Sequence, residues 1–200
     1  MIKKFSIFNF QFSIPAKQAG FTVLESIVAI FILSLAISGA FSAVRQGLIS
    51  TSMAKDEVKA FYLAQEAVEI VRNLRDNNRL ANAGGNPTSW LNIISGCIDT
   101  TCMADITGAF GTSPSVYLAV CDDDWGACPN LRQQTGSPTE NDYLLYGHGD
   151  DSDWTVTNFK REMQIEKIND DEISITVRIT WERGILDYEY ETKTSLFNLL

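Results

Sequence analysis

The sequence predicts an α+β fold, with one long N-terminal helix laid on a C-terminal antiparallel sheet. Apolar residues run almost unbroken from Phe21 to Val44 and then recur at helical spacing up to Leu74. In the last fifty residues they alternate with polar ones, most clearly from Ile173 to Trp181. Between the two patterns stands Asn82-Ala-Gly-Gly-Asn-Pro87, a dense cluster of helix breakers. Composition agrees with a folded domain plus an appendage. Of 200 residues, 45% are hydrophobic and 20% charged, which excludes a disordered or collagen-like chain. The net charge of −9 argues against direct nucleic-acid binding, which needs cations facing phosphates.

The charge is not evenly spread. Residues 1–20 hold Lys3, Lys4 and Lys17 and no acid, so the remaining chain carries 13 basic and 25 acidic side chains. Residues 1–20 form a cationic leader. Residues 21–44 have a single charge, Glu25, and as a helix would be about 36 Å long, enough to cross a hydrocarbon core of about 30 Å. The lysines place the N-terminus in the cytoplasm and the bulk of the chain outside. An ordinary secretory signal fits badly, because Lys17-Gln-Ala-Gly20 separates the cations from the apolar run and the run is too long. An uncleaved signal anchor is the plainer alternative.

Glu25 is costly in such a span, by roughly 2.5–3.5 kcal/mol at the bilayer centre and less at its edge. Two explanations stand side by side. Thr22-Val-Leu-Glu25 matches a capping box, and an acid suits a helix N-terminus. Alternatively, Glu25 needs a cationic partner within the membrane, which cleavage after Gly20 would create as a new ammonium at Phe21. That ammonium could meet Glu25 of its own chain or of a parallel neighbour.

The stretch Lys17-Gln-Ala-Gly20-Phe21-Thr-Val-Leu-Glu25 resembles the cleavage and methylation signal of type IV prepilins and of type II secretion pseudopilins. The resemblance implies a dedicated prepilin peptidase that cuts after Gly20 and N-methylates Phe21, with Glu25 supporting subunit docking. Lys17 belongs to the basic leader. The 20-residue leader is longer than many that precede a Phe terminus. The resemblance also implies the pilin fold, an inner-membrane assembly platform, and partner pilin or pseudopilin subunits. It implies a single-pass protein of the cytoplasmic (inner) membrane, later assembled into an extracellular pilus or a periplasmic pseudopilus.

Residues 45–80 continue the helix as an amphipathic half. Ala60, Leu63, Ala64, Ala67, Val68, Val71 and Leu74 follow i, i+3, i+4 spacing, with most charges on other faces. The helix is expected from about Phe21 to about Arg79. Gly39 and Gly47 lower its propensity by about 1 kcal/mol each, through close packing or as points of local melting.

Residues 81–200 form the head. Residues 88–150 read as irregular, with short strands at Val116–Val120 and Tyr143–Tyr146. The main meander occupies 155–199. It comprises Phe159, Met163 and Ile165, then Ile173 to Trp181, then Leu186 to Leu196, with turns at Asn169-Asp170-Asp171 and Arg183-Gly184. It should have one buried and one wet face, the buried one covered by the helix around Ala60–Leu74.

Four cysteines, Cys97, Cys102, Cys121 and Cys128, lie in the irregular part, on the side of the membrane where disulfides persist. Three pairings are open, and the local ones, Cys97–Cys102 and Cys121–Cys128, close the shortest loops. A four-thiolate zinc site is the rival, against which the second spacing is too wide. Asp122, Asp124, Asp150, Asp151 and Asp153 are hard-oxygen candidates for calcium, but neither cluster follows an EF-hand pattern, and solvated loops are the simpler reading. His148 stands between two glycines as a loop histidine. No nucleophile with a base and an orienting acid can be picked out, so no enzyme activity and no cofactor are expected. The expected function is a structural subunit, a minor pilin of a type IV pilus-like fibre. The alternatives are a minor pseudopilin of a type II secretion system and an uncleaved, membrane-anchored binding domain.

Overall fold

The computed structural model describes residues 20, 22–84, 89–105, 117–122, 124–135, 145–149 and 152–198, apart from the side chains of Tyr117 and Asp122. It divides into two units, Met1–Thr51 and Ser52–Leu200. Helix α1, Val23–Ala83, belongs in part to each.

In the first unit every described residue is exposed, including Ile27, Phe31, Leu33, Phe41 and Val44. An 18-residue window of α1 reaches a mean hydropathy of 2.4 with none of it buried, so the helix is long and apolar enough to cross a membrane. Some of its hydroxyls are satisfied along the helix. Ser34 Oγ donates to the Ile30 carbonyl at 2.8 Å and Thr51 Oγ1 to that of Gly47 at 2.9 Å, which hides polar groups from lipid.

In the second unit α1 turns one stripe inward. Ala60, Leu63, Ala64, Ala67, Val68, Val71 and Leu74 are all buried, as the spacing predicts, and Ile70 and Asn78 join them. Asn78 Nδ2 donates to the Trp90 carbonyl at 3.0 Å, fixing the chain as it returns past the helix end. The helix stops at Ala83, inside the breaker cluster, of which residues 85–87 lie outside the described part.

The sheet has seven strands: β1 Thr101–Asp105, β2 Tyr117–Asp122, β3 Asn130–Gln134, β4 Tyr146–Gly147, β5 Trp154–Asn169, β6 Glu172–Arg183 and β7 Leu186–Phe197. All strand pairings are antiparallel. The 16-residue β5 organises them. One edge of β5 pairs with β6 from Phe159 to Asn169; the other pairs with β3 near Trp154–Lys160 and with β1 near Met163–Gln164. Strand β2 extends β1, β4 extends β3, and β7 extends β6.

The meander therefore forms as the alternation predicts. Ile173, Ile175, Val177, Ile179 and Trp181 are buried in one core with the α1 stripe, Phe159, Met163 and Ile165. The rest of the sheet differs from the sequence reading. Strands β1 and β3 lie in the stretch read as irregular, and β4 keeps only Tyr146 of the Tyr143–Tyr146 run, whose first two residues lie outside the described part, as does Val116. The second face is not simply wet either. Glu162 and Ser174, on the polar side of the alternation, are 2% and 4% exposed. At Glu162 the cover is the loop that precedes β3. Its Gly126 and Cys128 N–H groups both donate to Glu162 Oε1, at 2.8 and 3.1 Å.

Candidate functional site

The N-terminal motif is built at the start of α1. Thr22 stands just before the first helical residue, and its Oγ1 accepts the Glu25 N–H at 3.2 Å. This is the first half of a capping box, and it satisfies one of the donors that every helix start leaves free. The Thr22 carbonyl also accepts from the Ser26 N–H at 3.1 Å. The Glu25 residue itself is exposed within the first helical turn. Its carboxylate is therefore open to a partner, while its backbone is already held. Gly20 precedes this turn in open space, since a Cβ built there would meet nothing within 4 Å. Lys17 and Phe21 lie outside the described residues.

Residues 15–41 match the prokaryotic N-terminal methylation motif. Its N-terminal segment is type IV prepilin-like. The match takes in Gly20, Phe21, Glu25 and most of the exposed apolar stretch, and so covers the geometry just described. Neither the curated proteins nor the solved structures gave a match to the chain.

The head carries two disulfides. Cys97–Cys102 joins the short 3-10 turn Ser95–Cys97 to β1, with Cα atoms 5.8 Å apart. Cys121–Cys128 joins the end of β2 to the loop before β3, with Cα atoms 5.1 Å apart. Both pairings are local, and no thiolate among the four is left to bind zinc. The second bridge carries the loop that caps Glu162. The same loop receives Lys160 Nζ on the Gly126 carbonyl at 2.7 Å, and its Trp125 ring lies 4.2 Å from the Arg178 guanidinium.

Besides Glu162, two more buried charges escaped the sequence reading. Arg161 is 1% exposed, inside the interface between α1 and the sheet. It pairs with Glu66 of α1 at 2.8 Å and donates to the Ala104 carbonyl of β1 at 2.6 Å. A signal was there, because Arg161 falls at even spacing between Phe159 and Met163 and so belongs on the core face. Close by, buried Asp105 accepts the backbone N–H of His148 at 2.8 Å. Burial pushes the His148 imidazole below its ordinary range; the Asp105 carboxylate opposes that shift, and Arg161 and Arg132 add to it. His148 is thus a half-buried structural histidine of the β4 end rather than a free loop residue.

Of the candidate aspartates, the side chains of Asp124 and Asp153 are described. Asp124 and Asp153 are exposed, in separate loops. The Asp153 carbonyl accepts from the Thr135 N–H at 2.6 Å, and Ser152 Oγ reaches the Asp153 carboxylate at 3.3 Å. The Asp122 side chain, Asp150 and Asp151 lie outside the described residues. Among the described residues no three His, Cys, Asp or Glu side chains are grouped to hold a metal ion.

Proposed function

We propose that this chain is a structural subunit of a type IV pilus-like fibre, used as a minor pilin and made as a membrane-anchored precursor. The observation that carries the reading is the methylation motif joined directly to an apolar helix that none of the described residues buries. On this reading the prepilin peptidase cuts after Gly20 and methylates the Phe21 nitrogen. The head lies outside the cytoplasmic membrane, and the assembly platform moves the helix from lipid into a bundle of neighbouring subunits.

Glu25 then has a defined task. Its N–H is spent on Thr22, but its carboxylate is free to meet a cation. In the apolar bundle a lone carboxylate is costly, and so is a lone terminal ammonium; each compensates the other when Glu25 meets Phe21 of a neighbour. No step of this scheme requires catalysis or a cofactor from the chain itself. Calcium on the loop aspartates is not needed for it.

Glu25→Gln tests the docking role. The variant should insert in the membrane and be cleaved, yet be lost from sheared fibres by at least tenfold. Normal incorporation contradicts the role. A secretion pseudopilus would use the same chemistry. Deletion of the gene separates the two, because loss of secretion with intact pili would assign the subunit to the pseudopilus.

A further inference from the structure

Strand β7 ends the sheet. It pairs only with β6 among the described residues, in a register unbroken from Glu172↔Phe197 to Arg183↔Leu186. The β6–β7 loop is two residues, Gly184 and Ile185, with Gly184 at φ +67°, as such hairpins require at that position. A two-residue loop makes Arg183↔Leu186 a hydrogen-bonded pair. Alternation then turns the backbone groups of Asp187, Glu189, Glu191, Lys193 and Ser195 toward the open edge. That edge is twelve residues, about 40 Å, with no proline, no bulge and one lysine. Natural edges of this length are usually blunted or occupied.

Two cavities border β7. One of about 280 Å³ lies on the α1 side, where Met53, Trp181, Tyr188 and Tyr190 give it more apolar than polar surface, with Asp56, Glu57, Arg183 and Glu189 at its wall and Arg183 paired to Asp56. The other, of about 690 Å³, spreads from β7 back over β6 and β5 to the start of β3, and takes Glu182, Asp187 and Glu189 together with Asn130, Asn158 and Lys160. In it Glu182 and Asp187 stand directly opposite each other across the β6–β7 pair, an arrangement of like charges that is destabilising by itself. Arg178 pairs with Glu189 and Glu191, but neither Glu182 nor Asp187 forms an ion pair among the described residues. Lys160, on the cavity wall, is held by the Gly126 carbonyl.

We propose that the β7 edge is a docking site for an extended segment of another polypeptide, basic on one face and apolar on the other. The incoming strand would pair with the open backbone groups. Its apolar side chains would fill the Met53–Tyr190 groove, and one lysine or arginine would sit between Glu182 and Asp187. A second copy suits the edge less well, since its own β7 brings three more acids to an acidic row.

The test uses the full chain in nanodiscs and a twelve-residue peptide of alternating lysine and valine. The peptide should slow amide exchange at Asp187–Lys193 and bind at least tenfold tighter than the same peptide methylated on every backbone nitrogen. The Glu182→Gln/Asp187→Asn double variant should keep or raise its melting temperature while binding about tenfold more weakly. The proposal is overturned by equal binding of the methylated peptide, by unchanged exchange in β7, by absence of binding, or by tighter binding of a peptide copying residues 186–197.

Discussion

Arg161 and Glu66 are the pair on which the head's interior most depends, and their unequal burial predicts unequal variants. The Arg161 side chain is 1% exposed and that of Glu66 28%. Removing the acid leaves a guanidinium locked in the core, so Glu66→Ala should destabilise by about 3–5 kcal/mol. Arg161→Met leaves a carboxylate that can reach water and a carbonyl short of one donor, so about 1–3 kcal/mol is expected. Urea unfolding of the full chain in detergent, with the two variants side by side, checks the order. His148 gives a pH prediction. Its folded value is depressed, so the unfolded chain binds the proton more readily. Stability is therefore complete above about pH 6.5, the unfolded value, and falls as the pH drops toward the folded one. His148→Gln should lose less stability than the parent between pH 7.5 and pH 5 in the same assay.

At the scale of elements, the longest ones are the most independent of context, and the core position Ile175 shows it. It is fully buried between the sheet and α1, and Ile175→Ala should cost about 2–5 kcal/mol in that unfolding measurement. The Cys97–Cys102 bridge closes a short loop, so the Cys97→Ala/Cys102→Ala variant should lose about 2 kcal/mol, read the same way. Gly149 is tied to its element by space rather than by backbone freedom, since a Cβ there would lie 2.3 Å from the Trp154 indole. Helix α1 and the meander β5–β7 were legible in the sequence because their periods, 3.6 and 2, repeat for many residues. Strands β1 and β3 were not. Thr101–Asp105 and Asn130–Gln134 are five residues each, and they become strands because β5 offers them an edge, which is a tertiary cause. The cover over Glu162 was hidden for the same reason, as nothing in Gly126-Ala-Cys128 announces that its N–H groups face a carboxylate thirty-odd residues away.

For the whole molecule, the average composition conceals the division that matters. A cationic leader, an almost uncharged apolar helix and an acidic head sum to an unremarkable net −9. The candidate site at the N-terminus was legible because it is a linear motif, Gly20-Phe21 with an acid at Glu25 before an apolar run, and needs no tertiary contact to be seen. The head sites needed the fold, since the open β7 edge and the Arg161 pair exist only once distant strands meet. A role as a pilin subunit depends above all on processing at that linear motif. Mass spectrometry of the N-terminal peptide from native membranes and fibres measures it directly. N-methyl-Phe21 as the first residue of the mature chain is the expected result. Mature protein that still begins at Met1 would contradict the account.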